Sequence, residues 1–143
     1  MADLSSHFTV EEMTATSHQG IDNTPAPGII AALTKTAALL EQVRTFLGGR
    51  PISISSGYRC PALNAAVGGV SDSAHLYGYG ADFECPSFGD PLAICRALAA
   101  ANIIWDQLIE EGTWVHISSD PRARRQILTK NPAGGYQQGL PPQ

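Results

Sequence analysis

At 143 residues the chain is sized for one domain. Its 43 % apolar and 15 % charged residues are ordinary for a globular protein and exclude wholesale disorder. A net charge of −4 argues against phosphate-driven binding of nucleic acid. No apolar run approaches the roughly 20 residues that cross a bilayer, so stable membrane insertion is not expected.

The first element predicted is a short helix, with Thr9 and Glu12 spaced as a capping box. The stretch QGIDNTPAPG (19–28) holds two prolines and two glycines and reads as an irregular connector. A long helix follows over about 29–47, with Ile30, Leu33, Ala37, Leu40, Val43 and Leu47 at helical spacing and Gly48-Gly49 to end it. PISISS (51–56) alternates as a strand. Residues 57–80 read mainly as loop, with a turn of helix at 61–66. GADFE (80–84) is a second strand, with Asp82 and Glu84 on one face and Ala81 and Phe83 on the other. A helix over about 90–101 precedes two strands, 105–111 and 113–119, joined at a tight turn around Gly112. A short helix is predicted over about 121–128, its face carrying Arg122, Arg124 and Arg125, either solvated or turned to an anionic surface. The tail NPAGGYQQGLPPQ (131–143) is rich in Pro, Gly and Gln and is expected to be flexible. The predicted organisation is one domain over 1–130 with that tail beyond it, in the α+β class: a small, mainly antiparallel sheet with helices packed around it.

Three cysteines, Cys60, Cys85 and Cys95, make neither a disulfide framework nor a zinc-finger spacing and read as buried free thiols, with a Cys85–Cys95 bridge as the alternative if the protein is exported. The start MADLSSHFTVEEM shows neither a basic nor an apolar signal region, so synthesis in the cytoplasm without Sec export is expected.

Two of the four histidines are informative. SAHLYGYGAD sets His75 seven residues before Asp82, and Gly78 and Gly80 disfavour a helix between them. His75 is therefore expected at the end of a loop and Asp82 on the strand after it. An imidazole and a carboxylate make an incomplete zinc site, since catalytic zinc usually has three protein ligands and one open position. His116, in the β-branched and aromatic run WVHIS, offers the third. His7 and His18 lack suitable neighbours in sequence and read as surface residues.

A general base is the next requirement, and Glu110 and Glu111 both precede His116. If Gly112-Thr113 is a two-residue hairpin turn, Ile109 pairs with His116 and Glu111 with Trp114. Glu111 then shares the face of His116, while Glu110 points the other way. Arg59, in SGYRCP, has a fixed guanidinium suited to a peptide carboxylate or a developing oxyanion; bracing the long loop is the alternative. Trp114 suits either the wall of a cleft or the core. Asp106 and Glu84 read as structural, and Asn64 with Gly68-Gly69 as setting loop geometry.

SGYRCPALNAAVGG, SAHLYGYGADFE and WDQLIEEGTWVHIS together resemble the M15 family of zinc D,D-carboxypeptidases and murein endopeptidases, in particular its short, phage-associated, endolysin-like branch. The resemblance runs from about Phe8 to Ser119. It implies a Hedgehog/D,D-peptidase-like zinc domain with Zn2+ held by His75, Asp82 and His116, and an arginine at Arg59 and a serine at Ser73 near substrate. Several members carry the catalytic glutamate three residues before the last histidine, where this chain has Thr113. The short branch carries a glutamate where Glu111 stands. The function implied is hydrolysis of amide bonds in peptidoglycan stem peptides or cross-links by a monomeric enzyme acting at the cell wall, in the periplasm, after release with holin help. Two alternatives are a cytosolic D-amino-acid dipeptidase or carboxypeptidase and a non-catalytic, zinc-stabilised phage structural or wall-binding module.

Overall fold

The computed structural model describes residues 2–142 as four α-helices, one short 3₁₀ turn and a six-stranded sheet. Helix α1 (Val10–Thr14) starts as predicted, with the Thr9 hydroxyl accepting from the Glu12 N–H at 3.1 Å. Helix α2 (Pro27–Phe46) begins at a proline, whose fixed φ suits the first helical position. Gly48 and Gly49 follow α2 with φ of 89° and 73°, and their N–H groups cap the carbonyls of Thr45 and Arg44. Of the apolar positions predicted on this helix, Leu33, Ala37, Leu40 and Val43 are buried, as is Leu47 at its end. Ile30 is exposed instead, in the first turn of the helix.

Strand β1 (Ser53–Ser56), helix α3 (Pro61–Ala66), strand β2 (Gly80–Glu84) and helix α4 (Pro91–Ala99) lie where the sequence suggested, as do strands β3 (Gln107–Glu110) and β4 (Val115–Ser118). Two corrections come after that. The helix predicted over 121–128 does not form: Ala123 and Arg125 have positive φ, and Gln126–Lys130 is strand β5. The stretch expected to trail as an irregular tail folds back, with Tyr136–Gln138 forming strand β6 against β5.

The sheet order is β1-β2-β4-β3-β5-β6, antiparallel throughout except for the parallel β3–β5 pair. This is the mixed α+β architecture expected. Strand alternation then divides the sheet into two faces. Ala81, Phe83, Leu108, Val115 and Ile117 are fully buried in a core shared with Leu33, Leu40 and Val43 of α2 and Ile94, Cys95 and Leu98 of α4. Cys60, Cys85 and Cys95 are all free thiols, the latter two buried. The opposite face carries Asp82 and His116, which face each other across the β2–β4 pair.

Candidate metal centre

His75 lies on the 3₁₀ turn Ala74–Tyr77, a more ordered setting than the loop end expected from its neighbours. The Ser73 hydroxyl caps this turn by accepting from the His75 N–H, and Gly78 closes it in the left-handed region at φ 80°. A side chain at Gly78 would crowd α2, meeting the Ile29 carbonyl at 3.1 Å and the Ala32 methyl at 3.2 Å. Gly80 has a similar reason: an added Cβ would stand 3.1 Å from the His116 ring. The glycines therefore bring the 3₁₀ turn down onto α2 and onto the start of β2, and thereby set His75 beside Asp82.

His75, Asp82 and His116 are all buried and each presents one ligating atom, all within 4.8 Å of one another. Asp82 Oδ1 lies 2.9 Å from His116 Nδ1 and 3.3 Å from His75 Nε2. Three atoms around a tetrahedral zinc at 2.0–2.2 Å would be roughly 3.4 Å apart, so the spacing is the right size. The protonation pattern also fits. His75 Nδ1 is 2.6 Å from the Gly57 carbonyl, which can only accept. Nδ1 therefore carries a proton, and Nε2 is the ring nitrogen turned towards Asp82. A cation bound here would take the Nε2 lone pair in place of a proton, with Gly57 fixing the ring from behind. Burial opposes charge on Asp82, yet hydrogen bonds from His116 and His75 outweigh it and hold the carboxyl well below the usual carboxylate range. An anionic carboxylate with two imidazoles is a donor set suited to zinc.

Arg59 is half-buried beside this group. Its backbone N–H bonds the His75 carbonyl at 3.0 Å, and Nη2 donates to Ser73 Oγ at 3.3 Å. Its Nε is buried with no partner among the described residues, leaving a donor free. Burial lowers the guanidinium pKa, while the charges of Asp82 and Glu111 act to raise it. The loop around it is clamped by Asn23, a residue sequence reading passed over. Asn23 Nδ2 donates to the carbonyls of Tyr58 and Thr14, and Oδ1 accepts from the Cys60 N–H.

The register of β3 and β4 puts Ile109 opposite His116, and the Glu111 N–H bonds the Trp114 carbonyl at 3.0 Å. That is the two-residue turn on which the choice of Glu111 depended. Glu110 lies on the helical face, where burial, and after it the Glu110 charge, pushes the Cys95 thiol up to about 12, and the Glu110 carboxylate accepts from the Gly112 N–H. Glu111 is half-buried and accepts from the Tyr136 hydroxyl at 3.1 Å. Arg59 and Tyr136 each feel the charges of both Glu111 and Asp82. Thr113 is exposed at the turn. Trp114 is half-buried, with the Lys130 ammonium 5.8 Å over its ring and its indole N–H unpaired among the described residues.

Other candidates lie apart. Glu84, His7 and His18 are exposed, and His7 bonds Glu41 at 2.7 Å. Asp106 is buried and takes two hydrogen bonds at 2.8 Å from the Arg124 guanidinium, a structural role. Asn64 holds its loop through the Val70 carbonyl, at 2.9 Å. Tyr136 was hidden in a stretch that reads as tail. The signal that reveals it is hairpin punctuation, NPAGG between the alternating runs QILTK and YQQ.

The comparisons with known proteins agree with this geometry. The chain is 40 % identical over 50 residues to the zinc D-Ala-D-Ala carboxypeptidase of Streptomyces albus G. That match covers 35 % of this chain and spans 20 % of the relative's length. The family model described as Peptidase M15 matches residues 6–118, a stretch that includes all three clustered side chains, Arg59 and Glu111. With the family's span and the His–Asp–His cluster in agreement, this chain belongs to the Peptidase M15 family of zinc metallopeptidases.

Proposed function

We propose that the protein is a zinc-dependent peptidase that hydrolyses amide bonds in peptidoglycan stem peptides or their cross-links. The observation that carries this reading is the convergence of His75, Asp82 and His116, with the half-buried Arg59 bonded to the His75 carbonyl and to Ser73 beside them. The carboxypeptidase similarity supports a D-configured peptide substrate. Zinc held by the three side chains would polarise the scissile carbonyl and bring the pKa of water at its open position towards about 7.

The remaining chemistry belongs to the chain. Glu111 takes the proton from the attacking water at its free carboxylate oxygen, Oε2, and returns it to the leaving amine. Arg59 binds a substrate carboxylate or the developing oxyanion through the guanidinium face that Ser73 does not use. Ser73 keeps both Arg59 and the turn bearing His75 in place. Trp114 forms part of the wall.

We assign the enzyme to the breakdown of cell walls as a phage endolysin, acting as a monomer in the periplasm after release from the cytoplasm. The short-branch resemblance and the glutamate at position 111 are the support for this.

The test is release of free amino groups from purified peptidoglycan by zinc-loaded wild type, chelated protein and His116→Ala. Release that needs both metal and His116 is the expected result. Release from small D-amino-acid dipeptides but not from wall material would favour a dipeptidase. Wall binding with no hydrolysis of either would replace the enzyme reading with a binding module.

A further inference from the structure

We propose that Tyr136 is a positioning residue for hydrolysis, aiming the Glu111 carboxylate from a hairpin beyond the stretch matched to the family. The inference rests on Glu111 serving as the base. Family similarity ends at Ser118, so nothing in it accounts for β5 and β6.

Glu111 sits at the tip of the β3–β4 hairpin, where a side chain with three rotatable bonds has several directions open to it. Among the described residues, the hydroxyl of Tyr136 is the hydrogen-bond partner of its carboxylate, at Oε1 and 3.1 Å. The other glutamate of the pair is already occupied, since Glu110 accepts from Gly112. A neutral phenol holds one carboxylate oxygen and leaves the other for the proton.

The phenol is itself well anchored. Tyr136 pairs with Lys130 in the β5–β6 ladder, and β5 runs parallel to β3 with Thr129 opposite Glu110. The Thr129 hydroxyl donates to the Gly139 carbonyl at 2.7 Å, and Arg96 on α4 holds the carbonyls of Pro141 and Pro142 at 3.0 Å. The hairpin is thus fixed on both sides of Tyr136. Burial and the Glu111 charge push the phenol up to about 12, so it stays a donor through the neutral range. Lys130, its ladder partner, reaches over Trp114, so the same hairpin touches both ends of the Glu111–Trp114 turn.

The experiment is a double-mutant cycle on the zinc-loaded enzyme, using Tyr136→Phe, Glu111→Gln and the pair, with kcat, KM, zinc content and Tm measured for each. Phenylalanine keeps the ring on a half-exposed edge strand and removes only the hydroxyl. Tyr136→Phe is expected to lower kcat about tenfold, with KM, zinc content and Tm within error of wild type. Glu111→Gln is expected to lose on the order of a hundredfold or more. The double variant should fall no further than Glu111→Gln alone. A wild-type kcat in Tyr136→Phe, a loss carried by KM or zinc content, or an equal loss in the Glu111→Gln background would each overturn the inference while leaving the base in place. Wild-type turnover by Glu111→Gln would remove the base itself, and the inference with it.

Discussion

A histidine ligand is aimed by whatever stands behind it, and behind His75 stands the carbonyl of Gly57, 2.6 Å from Nδ1. Gly57 is there for a steric reason rather than a conformational one. A Cβ at this position would collide with the Met13 carbonyl, which also receives the Tyr58 N–H at 2.7 Å. One glycine therefore lets α1 close on the end of β1 and lets the β1 end reach the ligand. Gly57→Ala is expected to cost about 1–3 kcal/mol, as overpacking usually does. It should also weaken zinc binding about tenfold or more, because the carbonyl moves with the chain. A thermal melt and a chelator competition read the two effects separately. A melt that falls with zinc affinity unchanged would show that the carbonyl does not aim the ring. Ser73→Ala makes a milder contrast, because its hydroxyl supports both the His75 N–H and Arg59. It should cost about 1 kcal/mol and raise KM more than it lowers kcat, since Arg59 is the group it frees.

At the scale of elements, the segment 120–125 replaces a predicted helix with a loop pinned at Asp106. The Arg124 guanidinium forks onto both carboxylate oxygens at 2.8 Å, its backbone N–H adds a third bond, and Arg125 stacks over Trp105 with 4.2 Å to the ring centroid. These bonds lead β5 into parallel register beside β3. The Arg124 hydrogen bonds hold the Asp106 carboxyl below its ordinary value against the opposing effect of burial. A depressed folded pKa gives stability that is present above the unfolded pKa, near 4, and lost as pH falls through the folded one. Asp106→Asn is therefore expected to cost about 1–3 kcal/mol at pH 7, as for hydrogen bonds lost from a buried charged group whose partner is partly exposed. The gap from wild type should narrow as pH drops below about 4, measured by denaturant titration at several pH values. A gap constant from pH 7 to 3 would mean the carboxylate charge contributes nothing. The same segment shows what the sequence could not reveal. The hairpin turn at Gly112, the cap at Thr9 and the glycines around His75 are local chemistry, and they gave the β3–β4 register and the three clustered side chains. The turn at 120–125 depends on an aspartate fourteen or more residues earlier, and β6 on a ladder with β5. Neither partner is visible from inside the segment. Tyr136 was lost with β6.

For the molecule as a whole, the question is how far the metal supports the fold. The three side chains come from the 3₁₀ turn, β2 and β4, so an ion there would tie the loop over 57–80 to the middle of the sheet. The core lies on the other face and is complete without it: Trp105, Phe8, Phe83, Met13 and Ile117 are all buried to within 1 % exposure. A chain with such a core differs from small zinc modules that unfold without metal. The metal-free protein is expected to keep its far-UV spectrum and a cooperative melt. Zinc at about a thousand times its dissociation constant should then add about 4 kcal/mol, because it binds only the folded state. For a chain of this length that is a rise of roughly 10 °C in Tm. His116→Ala and Asp82→Asn should show no rise, since each removes one of three ligands and exposes none of the core. The difference between wild type and variants, with and without chelator, separates the site from adventitious zinc on surface histidines such as His7 and His18. A metal-free chain that fails to fold would make zinc part of the structure. A wild type whose melt ignores zinc would leave Asp82 bridging two imidazoles by hydrogen bonds alone, and the peptidase reading would lose its central support.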